Sequence, residues 1–197
     1  MPSDPRLERW LRAVVATPGL TAFDDLDEAR AMLLDDALRA VDLVRELDGP
    51  IVDVGSGGGS PGIPLAVALP ERDVTLLESN GRKAAFLEEA AREFPNARVV
   101  RGRAEEQETD RFGVATAKAL AKPPVAVEWA LPLVRPDGAA ILWLGESADL
   151  DAVGKVAEQL GGAPPESRAG LVVVRKAAPT PEGFPRRPGM ARKRPLA

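Results

Sequence analysis

A run of glycines after a short apolar segment is the feature that most limits how this chain of 197 residues can fold. Residues 51–54 read Ile-Val-Asp-Val, the pattern of a buried strand, and the next eight read Gly-Ser-Gly-Gly-Gly-Ser-Pro-Gly. Glycine accepts positive φ and lets the backbone approach a ligand closely, because it has no Cβ. The prolines that follow suit the first turn of a helix, which we expect over residues 61–69.

Strands and helices alternate beyond this loop. Apolar runs predict strands, and segments with apolar residues at helical spacing lie between them. Such an alternation indicates an α/β fold, a mostly parallel sheet with helices on both faces, whose ligands bind beyond the carboxyl ends of the strands. The predicted strands are 51–54, 74–77, 98–100, 114–117, 139–144 and 171–174, and the helices between them are 82–94, 124–133 and 150–160.

The segments on either side of this core differ from it. Apolar spacing predicts helices over residues 4–16 and 26–47, so we interpret residues 1–48 as an N-terminal helical cap. Residues 49–177 form the core. Residues 178–197 are rich in Pro and Arg, and we expect a basic C-terminal tail that lies on the surface or is partly mobile.

The composition excludes several kinds of chemistry. The chain has no Cys, no His and no Tyr. Disulfides, thiolate metal sites, Ser-His-Asp triads and zinc sites of the HExxH type are therefore ruled out, and we predict no metal site. The reaction must need little from the protein, or its chemistry must come from a cofactor, carboxylates, Lys or Arg.

Two ligands compete for the glycine loop. A dinucleotide would favour the spacing of Gly57, Gly59 and Gly62, which matches G-x-G-x-x-G. Asp53 at the end of the strand and the early Gly55 fit S-adenosylmethionine better, since that loop wraps an amino-acid moiety and a cation rather than a pyrophosphate. We therefore predict S-adenosylmethionine as the cofactor.

Three further residues extend this prediction. Glu78 ends the second strand, 21 residues after Gly57, where a carboxylate accepts the hydroxyls of a ribose. Ala104 and Glu105 follow the third strand, where we expect the adenine edge. Together with Gly55 and Gly57 these residues are our candidate cofactor contacts.

The charge is unevenly distributed along the chain. The net charge is −4, yet residues 24–48 hold nine acids against three arginines, and residues 168–197 hold eight bases against one acid. This asymmetry favours a polyanionic partner, while a solvated tail that aids solubility is the alternative. The candidate nucleic-acid contacts are Arg186, Arg187, Arg192, Lys193 and Arg194. No apolar run approaches ~18 residues, so we expect no membrane span and a cytoplasmic protein.

Several motifs together resemble the RsmG family, also called GidB, of bacterial small-subunit ribosomal RNA guanine-N7 methyltransferases. They are the run DVGSGGGSPGIPLAVALPERDVTLLES, then GRKAAFL, RGRAEE, ATAKALA and ALPLVRPDG, and the closing PRRPGMARKRPL. The resemblance implies a class I methyltransferase fold with a seven-stranded sheet. It also implies that S-adenosylmethionine contacts Gly55, Ser60, Ala104, Glu105 and Lys118.

The chain departs from the family pattern at several positions. Ser60 stands where a bulky apolar residue is usual, and Lys118 where Arg is usual. The family usually has a His followed by a Leu-x-Asp-Ser run, and this chain has Met32 to Asp36 in that place. The family usually has an acid after the Phe of the fourth strand, and this chain has Gly113. Compared with the usual Arg, Lys118 keeps the positive charge but lacks a guanidinium that can form bidentate hydrogen bonds.

The implied reaction agrees with the composition. Guanine N7 carries a lone pair and no proton, so its methylation needs no general base. The implied substrate is 16S ribosomal RNA, alone or in the assembled small subunit, and we expect a monomer with Lys118 as the candidate catalytic residue. A methyltransferase for a small molecule or protein remains an alternative, as does a non-catalytic member that binds RNA or cofactor.

Overall fold

A single seven-stranded sheet forms the centre of the protein. The computed structural model describes residues 4–145 and 148–197. The strand order is β3-β2-β1-β4-β5-β7-β6. The strands are β1 Ile51–Val54, β2 Val74–Glu78, β3 Ala97–Arg101, β4 Phe112–Lys118, β5 Val134–Trp143, β6 Glu166–Arg168 and β7 Leu171–Arg175.

The strand directions place the glycine loop at the centre of one edge. Strands β1 to β5 pair in parallel, whereas β7 runs antiparallel to both β5 and β6. Strand order reverses at β1, which lies between β2 and β4. A crevice beyond the carboxyl ends of strands opens at such a reversal. The predicted mostly parallel α/β fold is confirmed, and the strand that the sequence pattern missed is the short, polar β6.

Helices cover both faces of the sheet. Because side chains alternate along a strand, Ile51 packs into the core on one face and Val52 into the core on the other. Both residues are fully buried, as expected for a central parallel strand. The helices are α1 Pro5–Ala16, α2 Leu26–Ala29, α3 Asp36–Leu38, α4 Val41–Arg45, α5 Gly62–Ala68, α6 Gly81–Ala91, α7 Pro123–Ala130, α8 Leu150–Gln159 and α9 Met190–Lys193.

The helix predicted over residues 26–47 is broken into pieces, so this prediction was wrong in its continuity. A π-helical turn, Arg30–Asp35, joins α2 to α3, and α4 is separate. Side chains of the core donate hydrogen bonds to backbone carbonyls of this segment. Ser60 Oγ donates to the carbonyl of Leu33, and Trp143 Nε1 donates to that of Asp36. These external donors stabilise carbonyls that a regular helix would satisfy internally.

The C-terminal tail lies on the surface, as predicted, but it is anchored. Thr180 Oγ1 donates to Asp110 Oδ1 over 2.9 Å and accepts from Lys176 Nζ over 2.7 Å. Lys176 is buried, and this burial lowers its pKa. Farther along, Arg186 pairs with the buried Glu128 through two bonds of 2.6 Å. These contacts hold the segment against the core.

No helix among the described residues is long and apolar enough to cross a membrane.

Gly113 marks a close approach between β4 and the end of the cap. The amide of Gly113 donates to the carbonyl of Pro50 over 2.9 Å. A Cβ at position 113 would lie 1.7 Å from the backbone carbonyl oxygen of Asp48. The backbone therefore leaves no room for the acidic side chain that the family pattern has at this position.

We predict that Gly113→Ala destabilises the protein, because the new methyl group meets backbone that must shift. Overpacking of this kind costs about 1–3 kcal/mol. Chemical denaturation measures the change in the free energy of unfolding. Gly145→Ala is the matched control, since a Cβ there meets no atom of the described residues within 4 Å. Equal stability of the two variants would contradict the packing described here.

Candidate functional site

Two adjoining cavities open beyond the carboxyl ends of β1, β2 and β4. Cavity A, about 340 Å³, is lined by Gly55, Glu78, Lys83, Ala104, Glu105, Ala119, Trp129, Gly189 and Arg192 among others. Cavity B, about 280 Å³, is lined by Phe23, Met32, Leu33, Gly55, Gly57, Ser60, Lys83, Lys118 and Ala119 among others. The two share Gly55, Lys83 and Ala119. All seven residues predicted to bind cofactor line one cavity or the other.

The glycine loop is folded by hydrogen bonds to the neighbouring strand. The amides of Gly55 and Ser56 both donate to the carbonyl of Leu77, over 2.8 and 3.1 Å. Gly55 has φ +73°, and a Cβ there would lie 2.3 Å from Leu120 Cδ1. The positive φ favours glycine here, and a Cβ would also require the end of the Leu120 side chain to move. From the cap, Trp10 Nε1 donates to the carbonyl of Gly58 over 2.8 Å, so α1 supports the outer side of the loop.

Glu78 joins the end of β2 to this loop. Its Oε2 accepts from the amide of Gly57 over 2.9 Å, and its Oε1 accepts from the amide of Asn80 over 2.7 Å. The side chain is largely buried at the wall of cavity A. An ionised carboxylate offers about four lone-pair sites, so each oxygen can accept one more hydrogen bond. Two hydroxyls of a ribose are donors that match these free positions.

Asp53 supports the other side of the loop and lies too deep to touch a ligand. It is 1% exposed, and its Oδ2 accepts from the amide of Gly62 while its Oδ1 accepts from Thr116 Oγ1, each over 3.1 Å. Burial raises the pKa of Asp53 to about 6, although these hydrogen bonds oppose the shift. A Cβ at Gly62 would lie 2.9 Å from Asp53 Oδ2, so glycine permits this contact.

The residues after β3 form another wall of cavity A. Ala104 is buried at the start of a short 3₁₀ turn, Ala104–Glu106. Glu105 Oε1 accepts from the amide of Gly189 over 3.1 Å. This contact brings the C-terminal tail to the cavity.

Lys118 connects the end of β4 to the cap. Its ammonium lies 2.5 Å from Asp36 Oδ2, also donates to the carbonyl of Met32, and lies 6.0 Å from the centroid of the Trp143 ring. Asp36 stands where the family pattern has Ser, and Lys118 stands where it has Arg. The two departures therefore contact each other, and Asp36 supplies a counter-charge to a lysine that is 13% exposed.

Comparisons with known proteins identify the family. The family model described as rRNA small subunit methyltransferase G matches residues 6–159. The chain belongs to this family. The ribosomal RNA small subunit methyltransferase G of Roseiflexus castenholzii is 35% identical, an alignment covering 97% of this chain and 89% of that protein. The protein of the same name from Rubrobacter xylanophilus is 38% identical, with 87% of this chain and 71% of that protein covered.

Solved structures agree on the fold. A TehB-like SAM-dependent methyltransferase from Corynebacterium glutamicum superposes with a TM-score of 0.53 at 22% identity, covering 75% of this chain and 90% of that one. The fold is that of the class I methyltransferases, as predicted. With the family membership, the predictions of a methyltransferase and of S-adenosylmethionine as its cofactor are confirmed.

The residues of cavity A fit this cofactor. Glu78 offers acceptor positions for two hydroxyls, and the indole N–H of Trp129 is buried without a hydrogen-bond partner among the described residues. A buried donor of this kind costs free energy unless a ligand or water satisfies it. The cofactor's adenine nitrogens are acceptors, so the donor and acceptor set suits an adenosine moiety.

Sequence reasoning missed part of this site. Lys83, which the sequence analysis did not select, lines both cavities near the start of α6. Ala119 adopts φ +50° where both cavities meet, a conformation that non-glycine residues rarely take. Trp129 packs in the core and also lines cavity A. The only sequence signal that places Ala119 in the site is its position directly after β4. The sequence of α7 contains no signal that places Trp129 there.

The basic residues of the tail have different surroundings. The guanidinium of Arg186 is bound to Glu128, which argues against its predicted role in holding RNA. Arg192 lines cavity A. Arg187, Lys193 and Arg194 are exposed and form no side-chain hydrogen bond or ion pair with another described residue. Nearer the core, Arg168 and Arg175 pair with Glu46 of the acid-rich segment.

The raised pKa of Asp53 predicts a specific pH dependence of stability. An acid whose pKa is higher in the folded than in the unfolded state stabilises at low pH and loses that contribution as pH rises. The window runs from pH ~4 to about 6, and the loss amounts to about 3 kcal/mol. Asp53→Asn removes the titrating group, so the stability difference between variant and wild type should grow in the variant's favour across this window. Denaturant unfolding at pH 4, 5, 6 and 7 measures it, and a difference independent of pH would refute the raised pKa.

Proposed function

We propose that the chain transfers a methyl group to N7 of a guanine in 16S ribosomal RNA. The observation that carries this proposal is the family match over residues 6–159, and the lining of the two cavities is compatible with it. Both carboxylates that line them, Glu78 and Glu105, accept backbone N–H donors. Lys118 is an ammonium paired with Asp36. Methylation at N7 needs no base, because this nitrogen presents a lone pair and carries no proton.

An acceptor atom that carries a proton sets a further requirement that N7 does not have. Methylating a protonated amine, a hydroxyl or a carbon requires removal of a proton, which a positioned base accelerates by about 10²–10⁴-fold. Asp53 has a raised pKa but is fully enclosed behind the loop.

The protein's share of the reaction is placement. When bound, S-adenosylmethionine supplies an activated methyl group on its sulfonium. Gly55, Gly57 and Glu78 would hold the cofactor from the β1–β2 side, with Ala104 and Glu105 from the β3 side. Aligning two reactants at a near-attack distance can contribute up to about 7–11 kcal/mol to the rate.

We propose that Lys118 donates a hydrogen bond to a reactant bound in cavity B. An ammonium has three donors, and Asp36 and the carbonyl of Met32 take two of them. The third is available to cavity B, where the cofactor carboxylate or an acceptor of the guanine would receive it. Ser60 also lines cavity B, but its hydroxyl donates to the carbonyl of Leu33, so it offers a ligand only its acceptor lone pairs.

Cavity B is our proposed position for the target base. Its cap side is formed by Phe23, Met32 and Leu33, and Met32 is 44% exposed. An enzyme that modifies a base must take it out of its stack, at a cost of a few kcal/mol. Apolar side chains at this depth would contact the faces of an extruded guanine. An rRNA substrate would place the enzyme in the cytoplasm, and we propose that it acts as a monomer.

The decisive experiment maps the methyl group. Purified protein is incubated with S-adenosylmethionine and either naked 16S rRNA or assembled small subunits. We expect mass spectrometry to show one guanine-containing RNA fragment that has gained a methyl group. Borohydride and aniline treatment, which cleaves RNA at N7-methylguanosine, should break the rRNA at the same position. Methylation of metabolites or proteins, with both RNA substrates unmodified, would overturn the proposal.

A second experiment tests Lys118. We expect Lys118→Ala to lower the single-turnover rate at least tenfold, because the donor at cavity B is lost. Asp36→Ala is the comparison, since it breaks the contact with the cap and leaves the ammonium in place. If Lys118 only ties the cap to the core, the two variants lose the same activity. An unchanged rate in Lys118→Ala would end the proposed role.

The exposed cations of the tail are our proposed phosphate contacts. Arg187, Lys193 and Arg194 have no competing partner among the described residues, and a contact with phosphate releases counterions. Replacing all three by Ala should weaken RNA binding and lower the slope of log affinity against log salt by roughly 2–3. Filter binding across a salt series measures the slope. An unaltered slope would show that RNA binds elsewhere.

A further inference from the structure

The C-terminal tail reaches the cofactor cavity as well as the surface. Gly189 and Arg192 both line cavity A. The amide of Gly189 donates to Glu105 Oε1 over 3.1 Å, next to the predicted adenine edge. The guanidinium carbon of Arg192 lies 5.0 Å from the centroid of the Trp129 ring, within the range of a cation–π contact. The tail therefore forms one wall of the cavity.

Buried contacts determine the position of this wall. Arg186 binds Glu128 through two parallel bonds of 2.6 Å, and the Glu128 side chain is only 3% exposed. A carboxylate at this depth requires its partner, because an unpaired buried charge costs several kcal/mol. Ala191, one residue before Arg192, is also buried. The backbone on both sides of Gly189 is thus held against α7.

The polar groups at this wall match an adenine ring. A guanidinium is planar, stacks on aromatic faces and donates to ring nitrogens. Arg192 is exposed, so a ligand in cavity A can reach it without breaking an ion pair. Beside it, Trp129 holds its buried indole N–H without a partner among the described residues. The exposed guanidinium of Arg192, which lines the cavity together with Ala104, points to a ligand with acceptor nitrogens and a π face.

We propose that Arg192 binds the adenosine half of S-adenosylmethionine, and so acts as a cofactor contact and not as the RNA contact that its place in a basic tail suggested. The inference deepens the proposed function and rests on its cofactor site, but not on its RNA target. Different residues of the tail then have different roles. Arg186 anchors it, Arg192 contacts the cofactor, and Arg187, Lys193 and Arg194 remain for phosphate.

The test measures cofactor affinity with no RNA present. Isothermal titration calorimetry is performed with S-adenosylhomocysteine and with 5′-methylthioadenosine, which keeps the adenosine and lacks the amino acid. We expect Arg192→Ala to weaken both ligands by a similar factor, about tenfold or more. The affinity of Arg192→Lys for each ligand should fall between those of wild type and Arg192→Ala, since a point charge replaces the planar guanidinium. Thermal unfolding checks that each variant is folded.

Lys193→Ala is the matched control, because Lys193 is the next residue on α9 and does not line cavity A. It should leave both affinities unchanged and weaken RNA binding. The proposal is overturned if Arg192→Ala binds both ligands as tightly as wild type, or if it loses only S-adenosylhomocysteine, which would place Arg192 at the amino-acid half. A wild-type protein that binds these ligands but fails to methylate 16S rRNA would instead contradict the proposed function.

Discussion

Two carboxylates hold the glycine loop, and the rest of the site depends on them. Asp53 accepts the amide of Gly62 below the loop, and Glu78 accepts the amide of Gly57 beside it. Both side chains project from the carboxyl ends of adjacent parallel strands, so the register of the sheet sets the distance between them. Because the loop has few side chains to pack, these contacts to its backbone amides define its shape.

The cap is built onto this loop through polar contacts as well as apolar burial. Trp10 donates to the loop, Ser60 donates back to the cap, and Lys118 pairs with Asp36. The π-helical turn lies where these donors meet the cap. Turns of this kind are frequent at functional sites, and here the turn forms a wall of the cavity in which we place the target base.

The opposite charges of the two ends of the chain are used partly for internal pairing. Glu46, from the acid-rich segment, binds Arg168 and Arg175, and Glu128 binds Arg186. The number of bases in the C-terminal segment therefore overstates the charge available to RNA. Arg187, Lys193 and Arg194 stay exposed, and they are neighbours in the chain of Gly189 and Arg192, which line cavity A.

Most of the fold could be predicted because its signals are local. Apolar runs of strand length and helical spacing located six of the seven strands and the main helices, while β6 was missed because three polar residues at an edge give no apolar pattern. The site residues that follow strands were predictable for the same reason. Parallel strands bring their carboxyl ends to one edge, so Gly55, Glu78, Ala104 and Lys118 had to lie near one another.

The amino-acid sequence by itself determined the sheet, the glycine loop and a chemistry without His, Cys or Tyr. Tertiary structure alone decided that Asp36 would meet Lys118, that the 26–47 helix would break, and that the tail would return to Trp129. These outcomes depend on contacts between residues 58 to 107 positions apart. Local patterns carry no information on such contacts, because the partners are far apart in the sequence and meet only in the folded structure.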